Sequence, residues 1–126
     1  MDVRSIGILL IVVAVTIVTG AQLLIKSRLS IHGVMPLSTG EILTYLGSLA
    51  RDWQLWIGSI GLLLGALAWY AGLSRIPLSL AYPMASLSYL LIFVGTIFVL
   101  GESFSWALLL GNLLIVSGVA LVALWH

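Results

Sequence analysis

The chain has 126 residues, 62% of them hydrophobic and only 7% charged, no Cys, and a mean hydropathy of +1.26. A soluble domain carries about 25% charged residues to cover its surface, so this composition excludes a protein wetted on all sides and predicts an integral membrane protein. Five Lys/Arg against four Asp/Glu leave no polybasic face for nucleic acid, and the lack of Cys excludes disulfide frameworks, thiolate metal sites and Cys nucleophiles.

Charges divide the chain. Residues 5–25, 53–74, 76–101 and 103–126 carry none. A hydrocarbon core about 30 Å thick takes about 20 helical residues, so each stretch is long enough to span. The expected architecture is all-α, one transmembrane domain over residues 1–126, with helices at about 5–26, 53–73, 78–100 and 104–125.

The first stretch exceeds the apolar run of about 7–15 residues in a signal peptide, so it reads as a span. Thr19, Gln22 and Lys26 are spaced by three and four and form one polar line that ends on a cation. A Lys at mid-bilayer costs about 3 kcal/mol on insertion scales, whereas at the membrane edge it snorkels into the headgroups. Lys26 is therefore either an interface anchor or a contact for an anion. Gln22, deeper in, is either an interhelical hydrogen bond or part of a polar route.

The connection over residues 27–52 is long. Within it Ser38-Thr39-Gly40-Glu41 has capping-box spacing, and Ile42, Leu43, Leu46, Leu49 and Ala50 recur opposite Glu41, Thr44, Ser48 and Arg51. This pattern predicts a short amphipathic helix at about 39–51 lying on the membrane surface, a loosely ordered loop being the alternative.

In the second span Trp53 and Trp56 open the helix and Trp69 and Tyr70 close it, as rings anchored at headgroup level do. Gly58, Gly61, Gly65, Ala68 and Gly72 gather into one stripe where another backbone can approach. The fourth span carries Trp106 and Trp125 near its ends and a second small face at Gly111, Ile115 and Gly118. One stripe is expected to pack inside the protomer and the other, on the fourth span, between protomers.

The third span follows a tight turn at Arg75-Ile76-Pro77 and carries Tyr82, Ser86, Ser88 and Tyr89. Pro83 removes a backbone hydrogen bond within it and predicts a kink. With Gly95 farther along, that kink is either static or the place where the helix bends during function. Glu102 is expected to cap the fourth helix, where its charge suits the helix dipole.

Catalysis is hard to build from this inventory. His32 and His126 lie outside the spans, and no nucleophile–base pair or metal-ligand spacing occurs, so no enzyme, metal or cofactor is expected. Arg4 and Arg75 fall on one side of the membrane and Lys26, Arg28 and Arg51 on the other, which gives no usable orientation bias. Four helices scarcely enclose several hundred cubic ångströms, so a transport path is expected to need at least two subunits.

The run from Trp69 to Leu87, with Ile76-Pro77, Ala81-Tyr82-Pro83-Met84 and Ser86-Leu87, then Gly101-Glu102 and Ser105, resembles the small four-helix proteins of the drug/metabolite transporter superfamily. Its closest likeness is to the ArnE/ArnF type, the subunits of the undecaprenyl-phosphate-aminoarabinose flippase. Gly20-Ala21-Gln22-Leu23 with Lys26 is similar to that type's first helix. Gly111, Leu114-Ile115 and Gly118-Val119 resemble the dimer face of the small multidrug resistance relatives. Proton-coupled exporters of this size carry a Glu two turns before the Lys of the first helix, and here that place holds Val18. The first connection is also longer than the ArnE/ArnF type leads one to expect.

The resemblance implies a homodimer, or a heterodimer with a similar small subunit, in the bacterial inner membrane. Its implied substrate is a polyprenyl (undecaprenyl) phosphate-linked sugar such as aminoarabinose. The polyprenyl tail stays among membrane lipids while the head passes along Gln22, Tyr82, Ser86 and Tyr89. Arg75 on one face and Lys26 with Arg28 on the other receive the phosphate in turn. The alternatives are a small multidrug-type exporter of lipophilic cations and a membrane scaffold that transports nothing.

Overall fold

The computed structural model describes residues 1–125, so His126 lies outside the described residues. Six helices follow one another: α1 (Val3–His32), α2 (Thr39–Ala50), α3 (Trp53–Leu73), α4 (Leu78–Ala85), α5 (Leu87–Phe98) and α6 (Trp106–Trp125). Four helical segments are long and apolar enough to cross a membrane: α1, α3, the α4–α5 pair as Leu78–Phe98, and α6. The chain is an all-α integral membrane protein, as its composition requires.

Asp2 opens α1 by accepting a hydrogen bond from the Ser5 amide at 2.8 Å. The helix ends only at Gly33, whose positive φ of 86° turns the chain and lets its amide donate to the Leu29 carbonyl. No Pro or Gly interrupts residues 27–32, so α1 continues past its expected end at 26 and carries Lys26 and Arg28 on helix, not loop. The amphipathic segment does form α2. Ser38 stands at its N-cap position, yet its side chain makes no capping bond, so the spacing of Ser38 and Glu41 marks the helix start without the Ser38 half of a capping box forming, and Glu41 stands in the first turn. The helix is held by the Tyr45 hydroxyl, which donates to the Gly33 carbonyl, and by Trp56 Nε1, which donates to the Ala50 carbonyl, both at 2.8 Å.

The principal helix pair is antiparallel α1 and α3. A Cβ added at Gly58 would stand 2.6 Å from Ile25 Cγ1, and one at Gly72 would stand 2.6 Å from Ile11 Cδ1. Gly65 lies equally tight against Val18. The α3 stripe is thus filled from within the protomer, where close backbone approach supplies the van der Waals contact that lipid gives no hydrophobic incentive for. Below it Ile11 and Val15 pack on Ile76, Leu80, Ala81 and Met84, which fastens the start of the third span to α1.

The kink expected from Pro83 is present. Pro83 lies inside α4, and Ser86 separates α4 from α5, its amide shared between the Tyr82 and Pro83 carbonyls at 3.3 and 3.1 Å. Beyond the break α5 rests on α1, where Gly95 accommodates the Leu23 side chain, and no α5 Cα lies within 8 Å of α3. The third span therefore starts beside α3 and departs from it.

Among the described residues the last helix packs on α4 and α5 alone. Its start corrects one expectation: α6 begins at Trp106 and is capped by Ser105, which accepts from the Leu108 amide at its Oγ (3.4 Å) and from the Leu109 amide at its carbonyl (3.0 Å). Glu102 stands too far upstream to cap. Gly101, at a φ of 70°, turns the chain so that the Glu102 amide donates to the Thr96 carbonyl and the carboxylate is left at the rim between α5 and α6.

Candidate functional site

The departure of α5 from α3 leaves a cleft of about 380 Å³ floored by α1. Thr19 and Gln22 come from α1, Gly65 and Trp69 from α3, and Ser88 and Ile92 from α5. One protomer thus forms an open cleft rather than the enclosed chamber that four helices were not expected to hold. It does so by bending one span away, so the space is a slot open sideways to lipid and not a closed chamber.

Thr19 is its most informative residue. Thr16 and Ser117 return their hydroxyls to the carbonyl one helical turn earlier, the ordinary way to satisfy such a group in a span. Thr19 is only 5% exposed and its Oγ1 is buried without a hydrogen-bond partner. An unmet buried hydroxyl costs about 1–3 kcal/mol, which marks Thr19 as the polar group of this cleft that the protomer itself does not satisfy. Thr19 lines the cleft together with Leu62, Gly65 and Ala66 from the middle of α3. Gln22 follows on the same stripe, and Lys26 stands about 10 Å above Thr19 at 1.5 Å per residue. Lys26 is exposed and enters neither of the ion pairs found among the described residues.

Arg28 is engaged elsewhere. Its Nε meets Asp52 Oδ2 at 2.8 Å, and His32 Nε2 stands 2.9 Å from the same oxygen. The other oxygen, Oδ1, accepts from the Gln54 amide at 3.0 Å and so caps α3. The hydrogen bond from His32, with those from Arg28 and the Gln54 amide, lowers the Asp52 carboxyl from 3.8 to about 2 against the opposing effect of burial. This cluster ties the end of α1 to the start of α3 across α2. Because the folded-state value is depressed, the tie is complete above the ordinary carboxylate range and is lost as pH falls through about 2. We expect Asp52→Asn to lower the Tm in detergent at pH 7 and to flatten the wild-type loss of Tm between about pH 4 and 2, as read by circular dichroism.

Arg75 lies on the opposite side of the membrane from Lys26, at the end of α3, exposed, with Nη1 donating to the Ala71 carbonyl at 2.7 Å and to Ser74 Oγ at 3.1 Å. The continuous row of Gln22, Tyr82, Ser86 and Tyr89 is not formed. Tyr82 and Ser86 line a groove against α6 with Gly118, and Tyr89 lines the next groove along. Tyr82 reaches the slot only through its ring, which meets Trp69 edge-on with centroids 5.6 Å apart. The slot-facing residues of the third span are instead Ala85, Ser88 and Ile92, spaced by three and four. Thr19, Trp69 and Ser88 thus join the site, and that spacing is the signal by which Ser88 was legible.

Gly95 serves as a close-approach point for Leu23, and Pro83 lies one turn below the break. On α6, a Cβ added at Gly111 or Gly118 would meet nothing within 4 Å, while Ile115 is half-buried toward the third span. Gly111 and Gly118 border the grooves between the third span and α6, which the protomer leaves open.

No family model matches the chain, and no solved structure matches it. Curated relatives do. It is 38% identical over 84% of its length to 86% of a Klebsiella pneumoniae protein named "probable 4-amino-4-deoxy-L-arabinose-phosphoundecaprenol flippase subunit ArnF". A protein of the same name from Erwinia tasmaniensis is 35% identical over 92% of this chain and 93% of its own. An ArnE subunit of that flippase, from Pseudomonas fluorescens, is 38% identical over 60% of this chain and 68% of its own. The likeness read from Tyr82-Pro83-Met84 and its neighbours is borne out by these relatives: the chain belongs to the ArnE/ArnF family of small flippase subunits.

Proposed function

We propose that this chain is a subunit of a flippase that carries an undecaprenyl-phosphate-linked amino sugar across the bacterial inner membrane. The observation that carries this reading is the slot: open between α3 and α5, with Thr19 and Gln22 on an otherwise apolar floor, the Thr19 hydroxyl unmet, and Lys26 above it. A sugar phosphate has hydroxyls and a charge that hydrocarbon cannot solvate, whereas a polyprenyl chain is at home there. A lateral slot separates the two needs. The head slides along Thr19, Gln22 and Ser88 against the Trp69 face, and the tail stays outside.

Lys26 receives the phosphate on one membrane face and Arg75 releases it on the other, while Arg28 is held in reserve by Asp52. Bending at the Pro83–Ser86 break would open the slot to alternate faces. The names of the relatives support a lipid-linked sugar, and Val18 supplies no carboxylate for exchange of protons against lipophilic cations. The relatives' names as flippase subunits, with the room the protomer leaves beside Gly118, support a second small subunit seated on α6, either another copy or an ArnE-like partner.

Native mass spectrometry of the gently purified protein, given 4-amino-4-deoxy-L-arabinose-phosphoundecaprenol, tests this. The expected particle contains two small subunits with the lipid bound. A monomer that takes up no such lipid would overturn the reading, and ethidium resistance on overexpression would favour the cation exporter.

A further inference from the structure

A second groove, of about 390 Å³, lies on the other face of the third span, between α5 and α6. Three of its polar side chains, Thr96, Glu102 and Asn112, offer lone pairs, and Tyr89 adds a phenol that can donate or accept. Asn112 Nδ2 donates to the Leu108 carbonyl at 2.7 Å, which fixes the orientation of the amide and leaves Oδ1 as the atom turned away from that bond. That Oδ1 is buried and accepts nothing. Thr96 spends its hydroxyl proton on the Phe93 carbonyl at 3.0 Å, so its oxygen offers only lone pairs. Glu102 closes the rim, and no Lys or Arg lines the groove.

Beside these acceptors stands an aromatic group. Phe93 lines the groove and packs on Phe104 with centroids 6.0 Å apart, and Phe104 meets Trp106 edge-on at 5.0 Å. A concavity with a carboxylate at its mouth, a buried unmet carbonyl oxygen within and aromatic rings beside it is suited to a donor that carries positive charge. It is the electrostatic opposite of the slot below Lys26.

Resting on the function proposed above, we infer that the α5–α6 groove binds the protonated amine of the lipid-linked sugar, through Glu102 and Asn112 Oδ1. The slot and the groove flank α5, and a helix with its side chains is about 10 Å across. A single pentose therefore occupies one at a time, and the groove is a separate station that selects for the amino head group before or after passage through the slot.

The test compares 4-amino-4-deoxy-L-arabinose-phosphoundecaprenol with the same lipid N-acetylated, binding of each being measured by native mass spectrometry on the full-length protein. N-acetylation removes the charge and keeps the phosphate and tail. A charge-assisted hydrogen bond in such a site corresponds to a preference of about 10-fold or more for the free amine. Glu102→Gln is expected to remove most of that preference and Asn112→Leu part of it, with affinity for the N-acetylated lipid as the internal reference. Glu102 is exposed at a turn, so its variant is not expected to unfold the bundle. Equal binding of both lipids by the wild type, or a preference that survives both substitutions, would overturn this inference and leave the flippase reading standing. Binding of neither lipid would overturn both.

Discussion

Lys26→Ala is expected to slow lipid-head translocation about 30- to 150-fold while leaving the helices folded and inserted. The magnitude follows from losing one charge-assisted contact to phosphate, about 2–3 kcal/mol where water is scarce. The folded state should be unaffected because Lys26 is exposed and makes no ion pair among the described residues. Lys26→Arg should retain much of the rate, since charge at that height is what the head group meets first. Arg28→Ala is the informative contrast. It breaks the 2.8 Å pair with Asp52 and should lower thermal stability more than it lowers the rate of a correctly folded sample. Rates from reconstituted vesicles, set beside melting curves of the same preparations, separate the two. A Lys26→Ala protein with wild-type rate would remove Lys26 from the path.

The second large effect is expected from glycine substitutions of opposite character. Gly65→Leu should prevent assembly of the protomer. Even its Cβ has no room against Val18 and would stand 3.5 Å from the Ala14 carbonyl, so α1 and α3 must part. Overpacking of a filled helix contact costs about 3 kcal/mol or more when backbone has to move. Gly118→Leu places the same side chain where the protomer offers open space, so the single-chain fold should persist. Its expected consequence lies between chains: if a partner seats on α6, the variant runs as a monomer in mild detergent. Size-exclusion chromatography with light scattering distinguishes a misfolded Gly65→Leu from a folded, monomeric Gly118→Leu. A Gly118→Leu protein that keeps the wild-type oligomer would place the subunit contact elsewhere.

The spans were legible because the membrane imposes a length and a charge-free composition that survive in any sequence meeting them. The amphipathic α2 and the α3 glycine stripe were legible for a related reason: periodicity within a helix records which face is buried. What local periodicity omits is which helix lies opposite. Asp52 looks like an ordinary cap until α1 is seen to continue to Gly33 and bring Arg28 and His32 onto it. Polar residues of the third span were read as one row, although Tyr82, Ser86 and Tyr89 turn toward α6 and Ser88 turns toward the slot. The deciding event is the break at Pro83–Ser86, which steers α5 onto α1 and away from α3. A carboxylate near a helix start suits a cap, which is why Glu102 reads as one in the sequence, but Ser105 lies closer and takes the position.

The most direct measurement of lateral head-group passage uses vesicles that hold the purified subunit together with its co-purified partner, if there is one. Their inner leaflet is loaded with 4-amino-4-deoxy-L-arabinose-phosphoundecaprenol, and its amines are titrated from outside by a membrane-impermeant amine reagent. The head group should become reactive much faster than in protein-free vesicles, with the acceleration lost in Lys26→Ala and in Thr19→Val combined with Ser88→Ala. Exposure no faster than in bare vesicles, or acceleration that those substitutions leave intact, would contradict passage through the slot.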